Sequence, residues 1–265
     1  MKDMPVSYHR ILDRLERQEA RLLRERSRLP LSAQRAEWKG KIPPALRENL
    51  NAAFAKAFSR LFGPGGTRLV EYTYRKAVMK EQYGVWSEEL PPEEARKVLR
   101  WMEHSQTAAQ GVECCVAGVE GTALGLLGIG LPDIPVFLAL LLRSLYKTAT
   151  RYGFIYESPE ERVYVLLLLQ GALSQGEARL EQSRRADMLG RALDHGWPTD
   201  CHLEEEIRKT SDLLADRLLL TKFVQGVPVV GAVGGPVNLS ITSAVSHYGS
   251  IKYKKRFLEK KVRGL

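Results

Sequence analysis

The sequence predicts an all-α protein, a single multi-helix domain, and three observations predict it. Apolar residues recur at three- and four-residue intervals along most of the chain, the period that lines one face of a helix. Proline, serine and acidic residues open these stretches and glycine closes them, as helix ends require. No segment sustains strand alternation. Residues 227–233 are rich in valine, but Pro228 and Gly231 interrupt them and Gly234 follows.

The first element is a basic helix within residues 1–42. Tyr8, Leu15, Leu22 and Leu29 recur every seven residues with Ile11 and Leu12 beside them, while Gln18, Glu19, Glu25 and Arg26 fill the companion positions. A stripe that narrow suits a weakly anchored surface helix rather than a coiled coil. Residues 1–41 carry eleven Lys and Arg against six Asp and Glu. They read either as a solvated helix packed on the rest or as a basic arm for an anionic partner.

The main helical domain, residues 43–265, opens at Pro43 and Pro44, whose fixed φ suits a first turn. Leu46, Leu50, Phe54, Ala57, Phe58 and Leu61 then share a face, and Gly63-Pro64-Gly65-Gly66 stops the helix. Thr67 is placed to cap the next helix, through Leu69, Val70, Tyr74, Ala77 and Val78 to Gly84. Pro91-Pro92-Glu93-Glu94 opens another, with Val98, Leu99 and Met102 inward. Ser158-Pro159-Glu160-Glu161 is a capping box, and the helix behind it is apolar all round from 163 to 169 save Tyr164, which predicts a central position. Gly196-Trp197-Pro198 ends the following helix, and Leu203, Ile207, Leu213, Leu214 and residues 218–220 carry the next to Gly226.

Composition fits this reading. Hydrophobic residues make up 44% and charged residues 27% of 265, ordinary for a folded chain able to form a core without disulfide or metal, with a net charge of +9. Cys114, Cys115 and Cys201 are too sparse and oddly placed for a disulfide framework and read as reduced thiols in a cytoplasmic setting. The first ten residues have no apolar run behind their charges, so no secretory leader is expected.

Two segments depart from the ordinary. Residues 121–142 contain one charge, Asp133, over a length that would span a membrane, but Pro132-Asp133-Ile134-Pro135 breaks them into a helical hairpin. Residues 223–251 contain no Lys, Arg, Asp or Glu and hold Gly226, Gly231, Gly234 and Gly235. Gly121 and Gly125, and Gly231 and Gly235, have the four-residue spacing that lets helices touch closely. Two readings stand: a tight hairpin and partner helix inside a protein core, or apolar segments lying in or against a bilayer.

These two segments resemble the signatures of the EcsC family of bacterial proteins. The first runs from Gly121 to Gly130 through Pro132-Asp133-Ile134-Pro135 to Leu138, Arg143, Tyr152 and Gly153; the second from Lys222-Phe223-Val224-Gln225-Gly226 to Gly234-Gly235 and Asn238. The resemblance covers residues 45–258, leaves the basic N-terminal helix outside, and departs at Pro236. It implies association with a membrane or a membrane transporter, peripheral on the inner face of the cell membrane, and no named reaction.

Chemistry is sparsely signalled. There is no phosphate-cradling Gly-Lys-Ser/Thr loop, no Gly-x-Ser-x-Gly elbow and no His-Glu-x-x-His pair, and no cofactor is expected. His195, Asp200, Cys201 and His202 match no closed zinc pattern, and Asp200 reads better as a helix cap; His104 reads as structural. Glu120, Asp133, Arg143, Lys222 and Asn238 lie in apolar surroundings and need partners or solvent. Asp133 is suited to cap the helix from Ile134, and Arg143 lies ~15 Å further along it, beyond reach of a direct pair. Lys252, Lys254, Lys255 and Arg256 directly follow the uncharged stretch and are the expected contact with an anionic surface. The favoured function is therefore noncatalytic association with a membrane surface or membrane protein, with nucleic acid disfavoured. The runner-up is a hydrolase-like enzyme with a polar pocket around Asp133, Arg143, Lys222 and Asn238.

Overall fold

A helix with no polar face has nowhere to go but the middle of the protein, and the structure puts residues 163–169 there. The computed structural model describes residues 6–24, 43–71, 134–224 and 234–263; among them are eight α-helices and no strand. They are α1 (Val6–Arg24), α2 (Pro44–Phe62), α3 (Gly66–Glu71), α4 (Ile134–Arg151), α5 (Pro159–Leu173), α6 (Gly176–His195), α7 (Leu203–Val224) and α8 (Gly234–Arg263). Helix α5 packs against α6, α7 and α8. Its Leu166, Leu168 and Leu169 are fully buried, each contributing about 1.5–3 kcal/mol relative to exposure.

The second axis of the fold is α8, roughly 45 Å long at 1.5 Å per residue. It contacts α4, α5, α6 and α1. Helix α2 lies across α7 and α4, burying Leu50, Phe54, Ala57, Phe58 and Leu61 as its periodicity requires. At its rim Arg47 Nε donates to Asp216 Oδ1 at 2.6 Å and Asn51 donates to Asp212, both acids on α7.

Among the described residues the predicted helix ends hold with two changes, while the helix through Val78 to Gly84, the one opening at Pro91-Pro92, the Asp133 cap and the end at Gly226 lie outside them. Ser158 Oγ accepts from Glu161 N at 3.2 Å, with Pro159 in the first turn, and Gly196 closes α6 in the left-handed region at φ 66°. The Glu161 carboxylate, however, is committed to Arg256 on α8 rather than to its own cap. Thr67 does not cap α3. That helix starts one residue earlier, at Gly66, where a Cβ would strike the carbonyls of Arg60 and Leu61.

Close helix approach does occur at glycines, but at ones the spacing argument passed over. A Cβ on Gly171 of α5 would lie 2.6 Å from Tyr248 Cζ of α8, and one on Gly190 of α6 would lie 3.1 Å from the Tyr164 ring. Gly249 of α8 is pressed against Leu145 of α4 in the same way. Gly121, Gly125 and Gly231, and with them the glycine-rich hairpin, lie outside the described residues; Gly235 lies in the first turn of α8.

Candidate functional site

Helix α1 is anchored far better than its narrow apolar stripe predicts. Tyr8 and Leu15 are buried, and so is Glu19, which the sequence pattern assigned to a polar companion position. Glu19 meets the C-terminal half of α8. Its Oε1 accepts from Lys252 Nζ at 2.7 Å and from Ser183 Oγ at 3.1 Å, and its Oε2 accepts from Lys255 Nζ at 2.7 Å. Asp187 of α6 completes the cluster, accepting from Lys252 through Oδ1 and from Lys255 through Oδ2 at 2.8 Å. Two ammonium groups face two carboxylates, and Lys252 Nζ gains a third type of acceptor in Ser183 Oγ at 2.9 Å. A lone buried ammonium would cost several kcal/mol, and this matching removes that cost. Burial pushes the Glu19 carboxyl up, but Lys252 and Lys255 outweigh it and hold it below the usual carboxylate range.

One turn further, Arg256 forms a second buried cluster. Its NH1 and NH2 donate to the two oxygens of Glu161 at 2.9 and 2.7 Å, a bidentate fork. Its Nε and NH2 donate to Asp194 of α6, both at 2.9 Å. The guanidinium also lies 4.3 Å from the Phe154 ring centre and 4.8 Å from that of Tyr164. Burial opposes the charge, yet the two carboxylates dominate and keep Arg256 protonated well above its usual range.

These contacts revise the place of the C-terminal cations. Lys252, Lys254, Lys255 and Arg256, expected to face an anionic surface, are 1%, 8%, 9% and 6% exposed. For Lys252, Lys255 and Arg256 the physical reason is the set of acids on α1, α5 and α6 that closes over them. The sequence did carry a signal for this. Ser183, Asp187, Gly190 and Asp194 recur at intervals of four, three and four, so one face of the otherwise polar α6 is small or acidic. Lys252, Lys255 and Arg256 share one face of α8 by the same rule.

The outer face of α1 is the reverse of the inner. Arg10, Arg14, Arg17, Arg21 and Arg24 are all exposed and follow one another at intervals of four, three, four and three. At 100° per residue they fall within about 40° of a single line roughly 21 Å long, opposite Tyr8, Leu15 and Glu19. None of the five is in an ion pair among the described residues; Arg17 Nε donates to the Asp13 carbonyl at 3.1 Å. Four adjacent like-charge pairs oppose the helix by about 1–2 kcal/mol, which Asp13 at the edge of the row offsets in part.

The remaining sequence candidates are dispersed or outside the described residues. Asp133, Glu120 and His104 are outside. Arg143 is half-buried on α4, its Nε shielded from water without an acceptor among the described residues. Lys222 belongs to α7 and Asn238 to α8. At the α6–α7 turn, His202 Nε2 lies 3.3 Å from Asp200 Oδ1 in solvent and His195 stacks on Trp197 at 4.4 Å, while Cys201 is a free thiol. Among the described residues no group of three or more His, Cys, Asp or Glu side chains is placed to hold a metal ion, and no helix is long and apolar enough to cross a membrane. A cleft of about 450 Å³ opens between the 62–67 turn, Glu71, Glu157 and Arg162. Glu71 there is occupied by Tyr156 Oη at 2.8 Å.

Comparison with known proteins takes in most of the chain, part of α1 included. Protein EcsC of Bacillus subtilis (strain 168) is 26% identical over 147 residues, which cover 54% of this chain and 58% of that protein. The match thus takes in little more than half of that relative. No solved structure matches the chain. The family model described as the EcsC protein family matches residues 9–258, beginning inside α1 and ending near the end of α8. The N-terminal helix, set apart in the sequence reading, is therefore part of the matched unit, and the chain belongs to the EcsC protein family.

Proposed function

We propose that this protein is a noncatalytic helical module that associates with a membrane surface or with a membrane protein. One observation carries the reading: three of the cations on α8 are already answered by acids on α1, α5 and α6, so they do not account for the net positive charge of the chain. Lys252, Lys255 and Arg256 are answered by Glu19, Asp187, Glu161 and Asp194. Three cations against four acids leave these groups at −1, so the rest of the chain carries +10 of the total of +9, an excess that favours anionic partners over neutral ones. A second feature supports it. Pro135 and Val136 in the first turn of α4 are exposed, and exposed apolar residues together with a net basic charge are the combination that interfacial proteins use.

Fractionation of cells producing the full chain tests this. The protein is expected in the membrane fraction and is expected to leave it in high salt. Recovery entirely in the supernatant at low salt would refute the association.

A further inference from the structure

We propose that the arginine row of α1, Arg10, Arg14, Arg17, Arg21 and Arg24, is the contact by which the protein lies on an anionic phospholipid bilayer. This rests on the membrane reading above and assigns it a surface and a lipid chemistry.

The row has three properties that a merely solvated face lacks. It is of one sign along its crest, although mixed signs would serve solubility without repulsion between neighbours. It consists wholly of arginine, whose planar fork of donors suits phosphate oxygens better than an ammonium group does. It is also presented rigidly, because the opposite side of the same helix carries the buried Glu19 cluster with α6 and α8.

The shape of this surface selects the partner. A straight ridge with charges on its crest meets a plane along its whole length. Headgroup phosphates in a bilayer offer such a plane. Duplex DNA fits less well: a major groove about 12 Å wide admits a single helix, whereas α1 is flanked by α6 and α8. Single-stranded nucleic acid is disfavoured too, since base stacking needs exposed aromatics beside the cations, and Tyr8 of α1 is buried on the far side. Tyr8 and Leu15 are buried and Ile11, Leu12, Leu22 and Leu23 pack against the core, so the contact is electrostatic, without insertion.

Co-sedimentation of the full chain tests the proposal, using vesicles of phosphatidylcholine alone or mixed with phosphatidylserine, at low and high salt. Wild-type protein is expected to bind only the mixed vesicles and to leave them in high salt. Each engaged arginine is worth about a five-fold change in partition, so R14Q/R21Q is expected to bind about 25-fold more weakly. R60Q/R208Q removes the same charge from exposed arginines of α2 and α7 and is expected to bind nearly as wild type. Gln and Arg have similar helix propensity, so both variants are expected to melt no lower than wild type. Equal binding by the two variants would overturn the arginine row while leaving the membrane reading intact. No vesicle binding by a protein that still fractionates with membranes would overturn the lipid partner in favour of a membrane protein. Binding to duplex DNA that requires Arg14 and Arg21, without vesicle binding, would overturn it in favour of nucleic acid.

Discussion

Replacing Glu19 by Gln isolates what holds α1 to the body of the protein. The amide keeps the size and one acceptor oxygen, and loses the charge that faces Lys252 and Lys255, each 2.7 Å away. Removing one partner of a buried ion pair costs about 3–5 kcal/mol, chiefly because the other charge is left uncompensated. Asp187 still reaches both ammonium groups here, so the expected loss is the smaller value of ~2–4 kcal/mol. At roughly 2–4 °C per kcal/mol for a chain of this size, the midpoint falls by about 6–12 °C for a 3 kcal/mol loss. Urea unfolding followed by circular dichroism at neutral pH measures it, repeated at high salt. A buried cluster is little screened, so the loss persists in salt. A double-mutant cycle with Lys255→Met adds a coupling of ~1 kcal/mol or more. A loss below ~1 kcal/mol that salt abolishes is the behaviour of a surface pair, and it would show that the cluster does not anchor α1.

Three further outcomes follow from the same contacts. Glu19 is held below its ordinary value of 4.5 once folded, so its contribution is complete above that pH and fades as pH falls through the folded value; acid titration of wild type is expected to show a stability loss below pH 4.5 that is shallower in Glu19→Gln. Gly171→Ala forces a methyl against the Tyr248 ring, 2.6 Å from Cζ, and is expected to cost ~1–3 kcal/mol by denaturant unfolding, with Tyr248→Leu restoring part of it. Ser158→Ala removes the oxygen that accepts from Glu161 N and is expected to cost ~1 kcal/mol, measured in the same way.

The elements that rest on local chemistry were legible in the sequence. The apolar girdle of α5, the Ser158 cap, the Gly196 stop and the buried face of α2 depend on residues near each other in the chain, and each is found. What depended on distant pairing was legible only as separate faces, the small and acidic one of α6 and the basic one of α8, and not as a pair. Glu19 and Lys252 are 233 positions apart, and Glu161 and Arg256 are 95 apart. Taken one at a time, Glu19 reads as a polar companion position, Glu161 as part of a cap, and Lys252 and Arg256 as a contact for an anionic surface. The same blindness missed two close approaches. Gly171 and Gly249 stand alone among larger residues, without the four-residue repeat that marks Gly231 and Gly235, and only the partner side chains Tyr248 and Leu145 show why they are small.

The buried and exposed charges of α1 form one device. If the helix were held by its apolar stripe alone, five arginines on its crest would favour fraying, because separating the helix from the body would relieve their mutual repulsion at little cost. The Glu19 cluster reverses this balance. Undocking α1 would leave Lys252 and Lys255, the first fully buried, with Asp187 as their remaining carboxylate partner in that cluster. That charge imbalance costs more than the ~1–2 kcal/mol the row gains by loosening. The row is therefore kept straight and facing outward, and an anionic surface that meets it finds the arginines already aligned, with little ordering cost left to oppose binding. The coupling gives a sharp expectation. Glu19→Gln leaves all five arginines in place, so intact docking would predict unchanged affinity for anionic vesicles. With the anchor weakened, the helix samples undocked states and the aligned fraction falls, which lowers apparent affinity in proportion. Hydrogen exchange on α1 and vesicle binding, measured on the same variant, are expected to move together, and faster exchange with undiminished binding would show that alignment of the row is not what the bilayer reads.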